Sequence, residues 1–468
     1  MIYLGHQDER RKKMAYNFIE CNREQQYLMP PSVKEWLPEG DLSWFVIDAV
    51  GQMALKEFYS KYRGDGCGQA AFDQKMMVSL LLYGYSLGER SSRRIEIFCE
   101  RDVGFRVVTA NQKPDHSTIS RFRKKYEKEL EGLFIKVLKM CTEAKMLKVG
   151  TIALDGTKME ANASLSSNRT EKYIEAEVKK IFEEAEQRDK EEDNLYGKTK
   201  RGDELPEEMR SRSSRLKRLK ECKERLEREA IEATEKQQEK IDIRRQEESE
   251  QGKKKRGRKP KLPEDMKNKK ARANITDPAS RIMKTRIGYV QGYNAQAVVT
   301  EEQIILAADI TQEENDVNQL HPMLNKVKDN IRCVGIEDKL RSGLVDAGYW
   351  SEGNLKKELP DELELFAATK KDWKQRKEIR EQKAPRGRIP EGLSKREQME
   401  RKLLTKRGKQ LYSKRGQMIE SVFGQIKDAR GISRFLRRGL NACASEWKLI
   451  CATHNLLKLF RSGKASWA

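Results

Sequence analysis

Zinc ligands are scarce in this sequence. Its four histidines lie far apart, and none of its eight cysteines forms a Cys-x-x-Cys pair. Structural zinc sites need such ligands at close, paired spacing. We therefore expect reduced, mostly buried thiols and no zinc site.

Long apolar runs are missing as well. No stretch approaches the roughly 18 consecutive apolar residues that a membrane-spanning helix requires. The first residues, MIYLGHQDERRKK, place charge where a signal peptide would have its apolar segment. These absences argue against a membrane protein and predict a soluble, cytoplasmic one.

Positive charge, in contrast, is abundant. The 468 residues include 96 lysines and arginines against 74 aspartates and glutamates, a formal net charge of +22. Such a surface attracts polyanions, and each phosphate that it neutralises releases condensed counterions. Nucleic acid is therefore the expected partner, and the length allows two or three domains.

Residues 1–147 are predicted to form an N-terminal all-α domain, because apolar residues recur there at helical spacing. Asp115 or Ser117 can cap a short basic helix by accepting its free backbone donors. This helix follows an earlier basic helix and a turn, an arrangement that suits a helix-turn-helix reader of DNA. A capped helix in a plain bundle explains the same pattern. The candidate DNA-binding residues of this helix are Arg121, Arg123 and Lys124.

A charged insertion spans residues 165–275. Apolar stripes at helical spacing, one from Ile174 to Ala185 and one from Leu216 to Ala233, predict a helical hairpin or a coiled-coil arm. The low apolar content of the insertion also fits a partly disordered segment.

The insertion ends in a basic run, KKKRGRKPK at 253–261. Arg-Gly-Arg near a proline is similar to the AT-hook, whose extended arginines enter the minor groove of A/T-rich DNA. Arg256 and Arg258 are therefore candidate DNA-binding residues, although a lysine separates Arg258 from the proline. A solvated linker that contacts phosphates is the alternative.

The remaining residues, 148–164 and 276–468, alternate strand-like and helical segments. A helix is predicted over 315–331, and a basic helical region follows residue 370. Strand formers dominate the segments 149–155, 288–299, 303–310, 342–345 and 363–368. This order predicts a mixed α/β sheet flanked by helices.

Three carboxylates stand where a catalytic site could use them. Asp155 ends the first apolar strand, Asp346 ends a later apolar run, and Glu420 lies in a basic helical stretch. Hard oxygen ligands of this kind bind magnesium, and two such ions can activate an attacking oxygen and stabilise a leaving one. An isolated aspartate at a strand end is more often a turn or cap residue, so the residues alone leave both interpretations open.

Several stretches, in order along the chain, resemble the DDE transposases of bacterial insertion sequences, in the branch with a Tyr-Arg-Glu-Lys signature. They are the N-terminal stretch from LLLYGYSLGERSSRR to SRFRKKY, LDGTKMEANAS around Asp155, DPASRIMKTRIGYVQGYNAQ at 277–296, VDAGYWSEGNL around Asp346 and YSKRGQMIESVFGQIKDARGISRFLRRGL from Tyr412. The resemblance implies a DNA transposase with a ribonuclease H-like catalytic core and a helical domain ahead of it.

The resemblance also implies roles for individual residues. The catalytic residues, which would also be the ligands of two Mg²⁺ ions replaceable by Mn²⁺, are Asp155, Asp346 and Glu420. The residues that would contact DNA phosphate near the cut end are Tyr412, Arg415 and Lys427. The expected partners are double-stranded DNA, as transposon ends and as target, and a second copy of the chain in a homodimer. The expected location is the nucleoid.

The signature departs from the pattern of the branch at one point. Four residues separate Arg415 from Glu420, where the pattern has three. In an α-helix one extra residue rotates Arg415 by about 100° relative to Glu420. Lys427 follows Glu420 by about two helical turns, which places both on one face. The role of Arg415 is therefore the weakest part of the resemblance.

Two other functions use the same features. A nuclease of the same fold would need the carboxylates but little of residues 1–147. A non-catalytic DNA-binding or scaffold protein would use the basic surface without depending on the carboxylates. The presence of all three carboxylates favours an enzyme.

Deletion of residues 252–262 should weaken DNA binding and flatten its dependence on salt, because fewer phosphates are then neutralised. Each lost phosphate contact lowers the slope of log K against log salt concentration by about 0.9. Fluorescence anisotropy of a labelled duplex at several salt concentrations measures this slope. An unchanged slope would show that the basic run does not contact DNA.

Overall fold

A mixed β-sheet flanked by helices forms the centre of the protein. The computed structural model describes residues 32–61, 71–181, 183, 207–251, 260, 262, 271–285, 288–357, 359–360, 363–388, 390 and 392–465. The basic run at 253–259, with Arg256 and Arg258, lies outside the described residues. Within the described part of the chain, no helix is both long and apolar enough to cross a bilayer.

The N-terminal region is helical, as its apolar spacing predicts. Aspartates cap several of its helices, and Asp115, one of the two predicted caps, accepts a hydrogen bond from the amide of Thr118 at 2.9 Å. After a 3₁₀ turn at Val33–Glu35, the helices are α1 (Leu42–Gln52), α2 (Lys56–Tyr59), α3 (Gln74–Ser86), α4 (Ser92–Arg101), α5 (Val103–Val108), α6 (His116–Lys125) and α7 (Glu127–Glu143). The short helix α5 therefore lies between the two basic helices, α4 and α6, where a turn was expected.

The sheet combines antiparallel and parallel pairing. Its strands are β1 (Thr151–Glu160), β4 (Arg281–Lys284), β5 (Tyr289–Thr300), β6 (Ile305–Thr311), β7 (Ser342–Val345) and β8 (Glu364–Ala367). The order is β4–β5–β1–β7–β8, and β6 pairs with β5. Strand β5 is antiparallel to β1, β4 and β6, whereas β7 is parallel to both β1 and β8. The β5–β6 hairpin and the short strands β7 and β8 lie where strand formers predict them.

The insertion is anchored by a small apolar cluster of its own. Strands β2 (Asn168–Thr170) and β3 (Arg272–Asn274) pair antiparallel, and two helices follow β2, namely α8 (residues 171–181) and α9 (Glu207–Gln251). The cluster joins both predicted apolar stripes through Ile174, Leu219, Cys222, Leu226 and Ala273. At 1.5 Å per residue, α9 is about 68 Å long. The insertion is thus a helical arm that packs at its base.

The C-terminal part of the chain supplies the remaining helices. They are α10 (Leu320–Cys333), α11 (Glu352–Lys356), α12 (Asp372–Glu381), α13 (Lys395–Leu404), α14 (Lys406–Arg415), α15 (Ser421–Gly424) and α16 (Leu440–Ser462). Five-residue π-helical turns lie on both sides of α15, at Gly416–Glu420 and Gln425–Ala429.

Helix α16 connects the sheet with the N-terminal helices. Its Asn455 side chain exchanges two hydrogen bonds with the backbone of Ile305 in β6, at 2.8 and 2.9 Å. The indole of Trp447, which is fully buried, donates to the carbonyl of Gln296 in β5. Another part of α16 packs on α7 and α3, so one hydrophobic core is shared by the N-terminal helices, the sheet and α16.

A buried ion pair also joins the N-terminal region to this core. Arg90 lies 2.6 Å from Glu446 of α16, and the two side chains are 7% and 0% exposed. The Glu446 carboxylate accepts two further hydrogen bonds from the amides of Leu436 and Arg437. Loss of the arginine would leave this carboxylate buried without its cation, which costs about 3–5 kcal/mol in comparable cases.

Arg90→Ala should therefore lower the free energy of unfolding by about 3–5 kcal/mol. Arg94→Ala is the matched control, because Arg94 pairs with Glu89 at the surface and is 62% exposed. Such an exposed pair contributes less than about 1 kcal/mol. Urea unfolding of both variants measures the difference, and equal stability losses would show that the buried pair does not anchor the two regions.

Candidate active site

The parallel pairing of β1 and β7 places two predicted carboxylates side by side. Leu154 pairs with Val345, so Asp155 and Asp346 come next on adjacent strands. Neighbouring strands are about 4.8 Å apart. Each carboxylate accepts a hydrogen bond at 2.8 Å from a nearby glycine amide, that of Gly156 for Asp155 and that of Gly348 for Asp346.

One guanidinium group connects Asp155 with Glu420. Arg415 Nη2 lies 2.6 Å from Asp155 Oδ2, and Arg415 Nη1 lies 3.6 Å from Glu420 Oε1. Arg376 of α12 also donates a hydrogen bond to Glu420. The arginine side chain of residue 415 is only 4% exposed. Two carboxylates that are far apart in sequence therefore converge on a single cation.

A π-helical turn explains why Arg415 and Glu420 meet. The turn spans Gly416–Glu420, the stretch that carries the extra residue relative to the pattern of the branch. Hydrogen bonds in a π turn run from residue i to i+5, so residues five apart stack as residues four apart do in an α-helix. The rotation expected from the extra residue does not occur, because the π turn absorbs it.

Lys427 and Tyr412 lie on either side of this turn. Lys427, in the second π turn, donates a hydrogen bond at 2.8 Å to the carbonyl of Lys158 in β1, and burial lowers the pKa of its ammonium group. Tyr412 is buried and lines a cavity of about 350 Å³ with Arg376, Arg380 and Arg415. The signature residues are thus gathered around β1 and the helix that carries Glu420.

A further carboxylate, Asp316, lies close to the two aspartates. It precedes a 3₁₀ turn at Val317–Gln319, just before α10. Its Oδ1 accepts hydrogen bonds from the side-chain amides of Asn294 and Gln296 in β5, at 2.6 and 2.7 Å. The sequence did carry a signal for this cluster, because Asn294 and Gln296 are polar residues two apart in a predicted strand and therefore share one face.

The Asp155 carboxyl is a weaker acid than an ordinary aspartate. The pKa of Asp155 is raised to about 7, mainly because the group is buried. The Arg415 guanidinium opposes this rise, and the neighbouring Asp346 and Asp316 carboxylates add to it. Desolvation and like charge both disfavour the ionised form of a carboxyl group. Near neutral pH, the Asp155 carboxyl of the metal-free protein is therefore partly protonated.

The donor set of the site suits a hard divalent cation, which prefers carboxylate oxygens. As the side chains stand, no group of three or more His, Cys, Asp or Glu residues in the described part of the chain is close enough to hold a metal. The Asp155 and Glu420 carboxylates are instead paired with Arg415 and Arg376. A metal ion bound there would take the place of the guanidinium groups.

The candidate DNA-binding residues of α6 differ in accessibility. Arg121 and Lys124 are exposed. Arg123 is 9% exposed, and its guanidinium donates hydrogen bonds to the carbonyl of Arg90 at 2.6 Å and to the hydroxyl of Ser92. Arg123 is therefore committed to internal contacts between α6 and the start of α4, and is not presented to a partner.

The raised pKa of Asp155 predicts a pH-dependent stability of the metal-free protein. The folded state holds this proton more tightly than the unfolded state, so stability is lost as the pH rises from about 4 towards 7. Asp155→Asn should reduce the fall in unfolding free energy between pH 5 and pH 8 by about 2–3 kcal/mol. Denaturant unfolding in EDTA tests this, with Asp48→Asn on the exposed side of α1 as control. A fall as large as in the wild type would contradict the assignment.

Two family models match parts of the chain. Residues 31–125 match the family described as Transposase domain (DUF772), and residues 373–460 match the family described as Transposase DDE domain. The second match includes Glu420, Arg415 and Lys427. No curated protein and no solved structure matches the chain. The two family matches lie in the order that the sequence resemblance implies, and together they support an insertion-sequence DDE transposase.

Proposed function

We propose that this transposase binds the ends of an insertion sequence, cleaves them, and joins their 3′-OH ends to target DNA. The observation that carries the proposal is the convergence of Asp155 and Glu420 on one guanidinium group, with Asp346 on the strand beside Asp155. The three residues follow the Asp, Asp, Glu order of the family. A cation already links two of them, which supports a site built for positive charge.

In this proposal, Asp155, Asp346 and Glu420 hold two Mg²⁺ ions, for which Mn²⁺ can substitute. When bound, the two ions would activate the attacking oxygen and stabilise the leaving oxygen of the phosphodiester. In the metal-free protein, Arg415 balances the negative charges of Asp155 and Glu420. Once released from Asp155, its guanidinium can bind a phosphate oxygen of the scissile strand by charge-assisted hydrogen bonds.

The DNA path that we propose runs over residues from three separate parts of the chain. Tyr412, Arg415 and Lys427 surround the catalytic carboxylates, and Arg380 adds a cation to the cavity beside Tyr412. The exposed residues of α6, Arg121 and Lys124, would contact DNA at a distance from the cut, as would Arg256 and Arg258 of the basic run. The net charge of +22 supports such phosphate contacts.

We infer a ribonuclease H-like core at residues 148–164 and 276–468. The mixed sheet supports it, because an antiparallel hairpin, β5–β6, continues into the parallel strands β1, β7 and β8. Residues 1–147 would be the DNA-reading region and 165–275 the inserted arm. A homodimer in the DNA complex follows from the need to process two ends together.

Catalytic variants test the proposed function directly. Asp155→Asn, Asp346→Asn and Glu420→Gln should each abolish cleavage of transposon-end DNA in Mg²⁺, by at least about 1000-fold, while leaving DNA affinity within about twofold. The reason is that each variant removes a charge needed to hold the ions and none removes a cation. Asp48→Asn, on the exposed side of α1, is the matched control and should cleave like the wild type.

A strand-transfer assay separates the alternatives. A donor end with a free 3′-OH, incubated with plasmid DNA, should be joined to the plasmid by the wild type. Cleavage without joining would indicate a nuclease of the same fold. DNA binding without cleavage, unaffected by the three variants, would indicate a non-catalytic DNA-binding protein. Both outcomes would contradict the proposal.

A further inference from the structure

Asp316 packs against one face of the sheet, close to Asp155. Residues of β1 and β5 form this face. Gly156 pairs with Gln296, and Lys158 pairs with Asn294, across β1 and β5. Directly paired residues of antiparallel strands point to the same face. The two amides and Gly156 therefore form the surface on which the Asp316 carboxylate rests.

The carboxylate of Asp316 is held in a defined orientation. Its Oδ1 accepts the amide hydrogen bonds of Asn294 and Gln296, both of which have no exposed surface, and Lys158 Nζ lies 3.9 Å away. Gln296 is itself fixed, because its Oε1 accepts a hydrogen bond from the buried hydroxyl of Tyr349. Because these buried amides cannot rotate freely, they fix the orientation of the carboxylate. Residues that hydrogen-bond to a metal ligand orient that ligand in the same way.

The second oxygen of Asp316 faces Asp346. A Cβ atom built on Gly348 would lie 3.3 Å from Asp316 Oδ2 and 3.0 Å from Asp346 Oδ1. The two oxygens thus border one small space, and oxygens of this kind are the ligands that hard divalent cations prefer.

Glycine is required where Asp316 approaches the first strand. A Cβ on Gly156 would lie 2.6 Å from Asp316 Oδ1 and 2.3 Å from Gln296 Nε2, so any side chain there would displace the carboxylate or the amide. The glycine that follows Asp155 therefore admits the amides and the carboxylate together. This gives a physical reason for the Asp-Gly pair that ends the apolar part of β1.

A buried hydrogen-bond acceptor without a donor lies beside Gly156. Asn294 Oδ1 is buried and has no hydrogen-bond donor among the described residues. It would lie 2.8 Å from a Cβ on Gly156. A buried oxygen without a donor costs free energy, and so does a third carboxylate beside Asp155 and Asp346. Neither arrangement stabilises the fold, whereas a divalent cation at Asp316 and Asp346 would offset the repulsion between the carboxylates.

We propose that Asp316 is a fourth carboxylate of the active site, and that its Oδ2 binds, together with Asp346, one of the divalent cations. Asn294 and Gln296 are positioning residues that hold Asp316 through Oδ1. The inference rests on the proposed function, because it assigns a further ligand to the same metal site.

Binding of Mn²⁺ to the full-length protein, measured by electron paramagnetic resonance without DNA, tests this proposal. Asp316→Asn should weaken the binding of one ion at least about 10-fold, since an amide replaces an anionic ligand. Glu313→Gln is the matched control, because it removes the same charge from the same loop, where Glu313 is bound by Asn318 and Gln319. Wild-type affinity in Asp316→Asn would overturn the proposal.

A second variant tests the same site independently, in case Asp316→Asn does not fold. Gly348→Ala leaves the hydrogen bonds of Asp316 intact but places a methyl group between the oxygens of Asp316 and Asp346. It should also weaken Mn²⁺ binding at least about 10-fold, with an unfolding temperature in EDTA close to that of the wild type. A Gly348→Ala protein that binds both ions normally would contradict the shared site.

The two proposals fail in different ways. If Asp155→Asn and Asp346→Asn lose Mn²⁺ while Asp316→Asn retains it, the site has three carboxylates and only the further inference is wrong. If the wild type binds no Mn²⁺ with or without transposon-end DNA, the metal-dependent function itself is wrong, and the role of Asp316 with it.

Discussion

The site depends on one electrostatic constraint, which is that like charges must be kept close together in a largely buried space. Asp155 and Asp346 follow paired residues on parallel strands, and Asp316 borders the same space. Water is too scarce there to screen their repulsion, so ionisation is resisted and an internal cation is required. Arg415 supplies that cation, and the amides of β5 supply hydrogen bonds.

The helix that carries Glu420 is fixed by its apolar face. Met418, Ile419 and Val422 are buried against the core, so the helix cannot turn without exposing them. Glu420 is then directed towards Arg415, and it remains half exposed at the edge of the site. The change from α to π hydrogen bonding adjusts the spacing of these residues locally, and π turns of this kind are frequent at functional sites.

Much of the fold could be predicted from local sequence pattern, while the site could be predicted only in part. Runs of strand formers and apolar residues located the β5–β6 hairpin and β7, and the cap preference of aspartate located the start of α6. The π turn could not be predicted, because counting residues assumes α geometry throughout. The burial of Arg123 depends on its tertiary contacts with Arg90 and Ser92, and a basic pattern alone suggests exposure. The amide pair of β5 was visible in the sequence, but its contact with Asp316 was not, since Asp316 lies in a separate loop.

The shared interior around α16 has an evolutionary consequence. The N-terminal helices and the sheet share one hydrophobic core. The N-terminal helices therefore could not be replaced by those of a relative without disturbing the core of the sheet. Shuffling of recognition modules, common among modular regulators, would require matched changes along the whole of α16. We expect new specificities in such elements to arise instead by substitution on exposed helical faces, or by lengthening and shortening of the arm, which has its own separate cluster.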